Sequence, residues 1–171
     1  AQTSVNFPNI YTPSPTFFIK RAYDHNSSLF TQGLSYHPPF LYESTGLYNQ
    51  SSLRTYLYPN ILIAKNTLPK PIFAEGITKI KNTIYQLTWK NQSLIMHTPQ
   101  KKQYKPFFHQ GWGLAQSSGQ LVYSDGSSNI YFQSPDQFLP WKTIEVHTNK
   151  LAVPYINDLC FHQGLILANI W

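Results

Sequence analysis

The sequence predicts an all-β fold built as a propeller, and three observations carry that expectation. Aromatic residues make up 16% of the 171 residues and charged residues only 12%, with 13 prolines among many Ser, Thr, Asn and Gln. That mixture suits strands joined by turns. No window sustains an apolar period of 3.6 residues between helix caps, so long helices are not expected. Most telling, one unit recurs: a short strand, a turn and a second strand, repeated every 40–45 residues or so, the signature of propeller blades.

Residues 1–16 are rich in Pro, Ser, Thr and Asn and read as an extended leader, and Thr16–Tyr23 reads as a strand. The first unit is Phe30–Tyr36, a break at Pro38-Pro39, then Phe40–Gly46. The second is Phe73–Thr78, a Lys-Asn turn, then Ile84–Trp89. The third is Gln110–Ala115, a Ser-Ser-Gly turn, then Leu121–Gly126, and the fourth is Tyr155–Cys160, a His-Gln-Gly turn, then Leu165–Trp171. Gln32, Glu75, Trp112 and Asn157 hold equivalent places, 43, 37 and 45 residues apart. Second-strand centres follow at Glu43, Gln86, Ser124 and Asn169. Weaker outer strands are expected near Ser52–Tyr58 and Ile61–Asn66, then Ser93–His97 and Gln103–Phe108, then Ile130–Gln133 and Thr143–Thr148.

The fourth unit stops after its second strand, at Trp171. Three and a half blades do not close a ring, and closure is what protects propeller edges. Residues 1–171 are therefore expected to form a single propeller domain that lacks on the order of two blades at its C-terminus. A naturally short chain that closes by dimerising is the alternative, and a complete ring is expected to be a monomer.

Composition also bounds function. The net charge of +6 gathers only at Lys79/Lys81 and Lys101/Lys102/Lys105. No basic stripe interleaves with a recognition motif, so these read as solvated loops and no nucleic-acid partner is expected. Cys160 is the only cysteine, which excludes an intrachain disulfide and CxxC chemistry, and it reads as buried packing. The six histidines form no HxxxH or HxH pair, so no metal is expected. No apolar run is long enough for a membrane helix. No secretory signal is visible, although Ala1-Gln2-Thr3-Ser4 is compatible with an end left by signal cleavage. Three Asn-x-Ser sequons, at Asn26, Asn49 and Asn91, matter only in a eukaryotic secretory setting.

Glu75 is one of only seven acidic residues and stands in an apolar run, Phe73-Ala74-Glu75-Gly76-Ile77-Thr78. Taken alone it reads as a turn acid before a strand or as a general acid/base. The repeat favours the second reading. First strands of successive blades line one channel, so Gln32, Glu75, Trp112 and Asn157 converge there, with Phe30 and Phe73 beside them and Trp89 and Trp171 at matching second-strand ends. Carboxamides, a carboxylate and indoles at inner positions suggest a polar pocket with aromatic walls, suited to proton transfer without a metal. The acids Glu43, Asp125 and Asp158 are not clearly placed opposite Glu75, so a paired-carboxylate glycosidase is the weaker reading.

These segments resemble the plant- and bacterial-type glutaminyl cyclases. The resemblance runs in order through Phe30-Thr31-Gln32-Gly33-Leu34, Leu41–Tyr48, Ser51–Arg54, Phe73–Thr78, Leu87–Lys90, Gly111–Leu114, Ser124–Ser127 and Ala168–Trp171. It implies a five-bladed propeller of which this chain covers about three and a half blades. It implies cyclisation of the N-terminal glutamine of peptides or proteins to pyroglutamate with release of ammonia, no cofactor, and a secreted or periplasmic location. It also implies that Glu75 is the catalytic acid/base and that Gln32, Phe30, Phe73, Trp89, Trp112, Asn157 and Trp171 bind substrate. A propeller that binds peptide N-termini or another small ligand without catalysis is the alternative. The chain departs from the family pattern at Asn49, where Gly is usual, and at Asn157-Asp158-Leu159-Cys160, where the family has Asn-Glu-Leu-Glu. The family's last-blade lysine has no counterpart in this chain.

Overall fold

The computed structural model describes residues 18–171. Among them there are sixteen strands and no helix. The first sheet is β1 (Thr31–His37), β2 (Phe40–Thr45), β3 (Ser52–Leu57) and β4 (Ile61–Thr67), antiparallel in chain order. The second repeats it with β5 (Ala74–Ile80), β6 (Thr83–Thr88), β7 (Ser93–His97) and β8 (Lys102–Pro106). The third is β9 (Leu114–Ser117), β10 (Gln120–Ser124), β11 (Asn129–Gln133) and β12 (Lys142–Glu145). A small hairpin, β13 (His147–Thr148) with β14 (Leu151–Ala152), leads to the pair β15 (Ile156–His162) and β16 (Leu165–Ile170).

The first hairpin of each later unit turns on residues with positive φ: Lys81 (52°), Ser118 and Gly119 (49° and 78°), and Gln163 and Gly164 (48° and 80°). That backbone matches the right-handed twist of the flanking strands, which is why such two-residue turns close hairpins. Asn49 sits at φ 68°, a region Asn tolerates better than most residues.

Apolar side chains fill each space between successive sheets. Tyr42, Leu53 and Ile77 lie between the first two, and Leu87, Leu94, Leu114 and Leu121 between the second and third. Ala115, Val122, Ile156 and Leu159 lie between the third sheet and the β15–β16 pair. Full burial of each large aliphatic side chain stabilises the fold by about 1.5–3 kcal/mol. Polar seams run beside this core. Gln86 is fully buried and donates from Nε2 to Ser44 Oγ at 2.8 Å, while His97 Nε2 lies 2.9 Å from its Oε1. Glu43, also buried, accepts from Thr31 and Tyr56 at 2.6 Å each and meets His25 Nε2 at 2.8 Å.

The first strands of the four units pack on one another: β1 on β5, β5 on β9, β9 on β15, with β15 also reaching β1. Glycine makes this approach close. A Cβ on Gly33 would lie 2.9 Å from Ile77 N, one on Gly76 2.4 Å from Leu114 N, and one on Gly113 2.0 Å from Asn157 O. Gly76 N–H donates to Trp112 O at 2.7 Å, so the step from the second unit to the third is bonded backbone to backbone.

The structure corrects several expectations. Residues 1–17, including the leader and the start of the expected strand at 16–23, lie outside the described residues, and 18–23 form no strand. Gln110–Gly113 is not part of β9; this stretch is held instead by Gly111 N–H to Thr88 O and Trp112 N–H to Ser124 O. The expected strand at 143–148 is broken at Val146, whose N–H bonds Ser128 O and whose carbonyl takes Val153 N–H. Cys160 is exposed rather than buried, because the apolar contacts of β15 are made by Ile156 and Leu159.

Candidate active site

The site begins with a repeated irregularity. Register shifts interrupt the pairing of β1 between Thr31 and Gly33, of β5 between Ala74 and Ile77, and of β15 between Ile156 and Leu159. These are the positions of Gln32, Glu75 and Asn157. A bulge re-aims a side chain out of the regular alternation, and bulges recur beside active sites for that reason. In the third unit the equivalent residue, Trp112, stands just before β9.

All eight residues singled out in the sequence line one cavity of about 510 Å³: Glu75, Gln32, Phe30, Phe73, Trp89, Trp112, Asn157 and Trp171. The volume falls within the range of small-molecule sites. Two further lining residues, Leu47 and Tyr155, were not singled out. Both have left-handed backbone, φ 74° and 62°. Local pattern does not show that conformation in a Leu or a Tyr. Tyr155 did leave a signal, since it precedes Asn157 by two residues, as Phe30 precedes Gln32 and Phe73 precedes Glu75.

Two aromatic walls flank the carboxylate. On one side Phe73 meets Phe30, Trp89 and Tyr48 edge-to-face, with centroids 6.2, 5.6 and 5.5 Å apart. On the other, Trp171 stands edge-on to Trp112 and to Tyr155, both at 6.3 Å. Backbone bonds seat them: Trp89 N–H donates to Phe73 O and Trp171 N–H to Tyr155 O. Two glycines make room for the rings, because a Cβ at Gly46 would lie 2.6 Å from Phe73 and one at Gly126 2.5 Å from Trp112. Lys90 Nζ lies 4.2 Å from the Trp89 ring centroid, a cation–π contact beside the pocket.

Glu75 is only 6% exposed. Burial pushes its carboxyl up to about 8; the Gln32 side chain, hydrogen-bonding to the carboxylate, pulls the other way, and the negative charge of Asp158 pushes it further up. A carboxyl poised there exchanges a proton near neutral pH. The indole Nε1 of Trp112 is buried without a hydrogen-bond partner. Of the other acids, Glu43 is used up by its three donors, and Asp125 accepts from Ser127 and Tyr131 in an Asx turn. Among the described residues no group of three or more His, Cys, Asp or Glu could hold a metal ion.

Fold and site together define the class: an all-β chain of antiparallel sheets, with a desolvated glutamate between aromatic walls where the inner strands meet. The chain belongs to the glutamine cyclotransferase family, whose pattern it matches over residues 2–171. It is 32% identical over 155 residues to the glutaminyl-peptide cyclotransferase of Arabidopsis thaliana, covering 87% of this chain and 48% of that protein. It thus spans about half the length of that curated relative. The crystal structure of Myxococcus xanthus glutaminyl cyclase is similar with a TM-score of 0.80 and 35% identity, over 90% of this chain and 67% of the other. The structure of U3-55K, 8% identical with a TM-score of 0.55 over 81% of this chain and 46% of its own, shares the fold alone.

Proposed function

We propose that this chain carries the reaction centre of a glutaminyl-peptide cyclotransferase that converts the N-terminal glutamine of peptides to pyroglutamate without a metal. The observation that carries this reading is Glu75, buried beside Gln32 and Asn157 between two aromatic walls. The substrate's α-amine attacks its own γ-carbonyl carbon, so the five-membered ring closes without a second molecule having to be positioned. Glu75, ionised, takes the proton that the amine loses as its C–N bond forms. It then returns that proton to the departing γ-nitrogen as the other C–N bond breaks, and ammonia leaves. Carboxamide and indole N–H groups are the donors suited to the oxygen that gains charge, and the indole faces suit the glutaminyl chain.

The family resemblance implies a five-bladed propeller, monomeric when its ring is complete, and the repeated sheets whose first strands meet are consistent with a propeller. A secreted or periplasmic location follows from the family resemblance. The test is to incubate the chain with a Gln-initiated peptide and a metal chelator, following ammonia and product mass. Turnover that survives the chelator and disappears in Glu75→Gln supports the proposal. Peptide binding without turnover would replace it with a binding module, absence of both would refute it for this chain, and loss of turnover on chelation would overturn the metal-free chemistry.

A further inference from the structure

The second-strand centres Glu43, Gln86 and Ser124 hold equivalent places in the first three units. Glu43 bonds Thr31, Tyr56 and His25, and Gln86 bonds Ser44, Ser52 and His97; none of these partners lines the cavity. Ser124 is different. It is fully buried at the end of β10, and its polar groups all go to the segments that carry Trp112 and Asn157. Its carbonyl accepts from Trp112 N–H and its N–H donates to Gly113 O, both at 3.1 Å. Its hydroxyl accepts from Gly113 N–H at 2.8 Å and donates to Asn157 O at 2.7 Å. One side-chain oxygen thus joins the third unit to the fourth beside two residues of the cavity wall.

The residue type fits the task. A hydroxyl can accept from one neighbour and donate to another at once, and it is small. Space is short here, since a Cβ on Gly113 would lie 2.0 Å from Asn157 O. Both partners also stand outside regular pairing. Gly113 precedes β9, and Asn157 lies where the β15–β16 ladder is interrupted between Ile156 and Leu159. The Trp112 carbonyl in turn takes the N–H of Gly76, the residue after Glu75. The same segment presents the Trp112 indole Nε1, buried without a hydrogen-bond partner, while Asn157 brings a carboxamide to the same cavity.

We infer that Ser124 is a positioning residue for the proposed reaction: its hydroxyl fixes the Trp112 indole and the Asn157 carboxamide relative to each other, as a preorganised pair of N–H donors beside Glu75. Donors that are set before charge develops stabilise it without reorganising. The inference rests on the proposed reaction for what the pair does, and on the hydrogen bonds of Ser124 for how the pair is held.

The test is Ser124→Ala with a Gln-initiated peptide. kcat should fall about ten- to a hundredfold while KM changes much less, because the loss falls on the transition state. A double-mutant cycle separates positioning from a general loosening of the fold. In an Asn157→Ala background the pair is already broken, so removing the hydroxyl should lower kcat far less than in the parent. An equal loss in both backgrounds overturns the inference, and so does a parent-like kcat in Ser124→Ala. Val122→Ala, a core change on the same strand, should keep the parent kcat once folded. If Ser124→Ala does not fold, Ser124→Cys, a weaker donor and acceptor of similar size, takes its place with the same expectations. A parent chain without turnover refutes the functional reading, and the positioning is then read by ¹⁵N-indole resonances. The chain has four tryptophans, Trp89, Trp112, Trp141 and Trp171, and Trp112→Phe assigns the one of interest. In Ser124→Ala that resonance should move while Trp141, bonded to Gln120 away from the cavity, stays. An unmoved Trp112 resonance overturns the inference.

Discussion

Replacing Glu75 with Gln keeps the shape of the side chain and removes its charge, so the change isolates what ionisation costs the fold. In the unfolded chain this carboxyl ionises near 4.5, and in the folded chain near 8. The folded state therefore binds the proton more tightly. Its contribution to stability is fully present below about 4.5 and is lost progressively as pH rises to about 8. At about 1.4 kcal/mol per pH unit the full loss is on the order of 5 kcal/mol, with roughly 3 kcal/mol gone by pH 7. The amide in Glu75→Gln has no such dependence. The variant should match the parent at pH 4–5 and exceed it by about 4 kcal/mol at pH 8, a large share of the total stability of a domain of this size. Urea unfolding of both proteins at pH 5, 7 and 8.5 measures the difference, and Asp158 is common to both, so its own titration largely cancels. Parallel stabilities across that range would refute the reasoning, because they would mean that Glu75 ionises in the fold as readily as in water.

Three further outcomes follow from the packing. Gly126→Ala forces a Cβ to within 2.5 Å of the Trp112 ring at a φ of 84°; it should cost about 1–3 kcal/mol and displace the indole, read as a change in tryptophan emission and a loss of activity. Gly113→Ala, whose Cβ would lie 2.0 Å from Asn157 O, should prevent β9 and β15 from meeting and leave little folded protein by circular dichroism. Gly119→Ala is the control for Gly126→Ala, with a similarly left-handed backbone, φ 78°, but nothing within 4 Å, and should cost only about 1 kcal/mol. Ser51→Ala removes the hydroxyl that donates to Leu47 O and accepts from Ala74 N–H; about 1–3 kcal/mol of stability should go, and KM should rise more than kcat falls as Leu47 and Phe73 loosen.

The legible part of this protein was whatever repeats. A hydrophobic alternation broken by turn residues is a local pattern, and its recurrence placed the four-stranded sheets and all the inner strands to within a few residues. Recurrence also brought Gln32, Glu75, Trp112 and Asn157 to one place, because equivalent residues of stacked units must converge. Tyr155 was within reach of the same logic, two residues ahead of Asn157 as the two phenylalanines are ahead of their partners. Cys160 was not: an aliphatic-looking strand does not say which of its faces is covered.

The sequence by itself determined an all-β repeat, a lone glutamate at an inner position and the aromatic residues that would surround it. Only the tertiary structure decided how that glutamate behaves. The bulges that turn Gln32, Glu75 and Asn157 out of register arise from how whole strands pair, and the left-handed backbone of Tyr155 is held by a bond to a residue distant in the chain, Tyr155 N–H to Gly126 O. The proton affinity of Glu75 depends on desolvation and on a charge more than eighty residues away at Asp158. Desolvation and Coulomb interaction act through space, so neither is written in the spacing of residues along the chain.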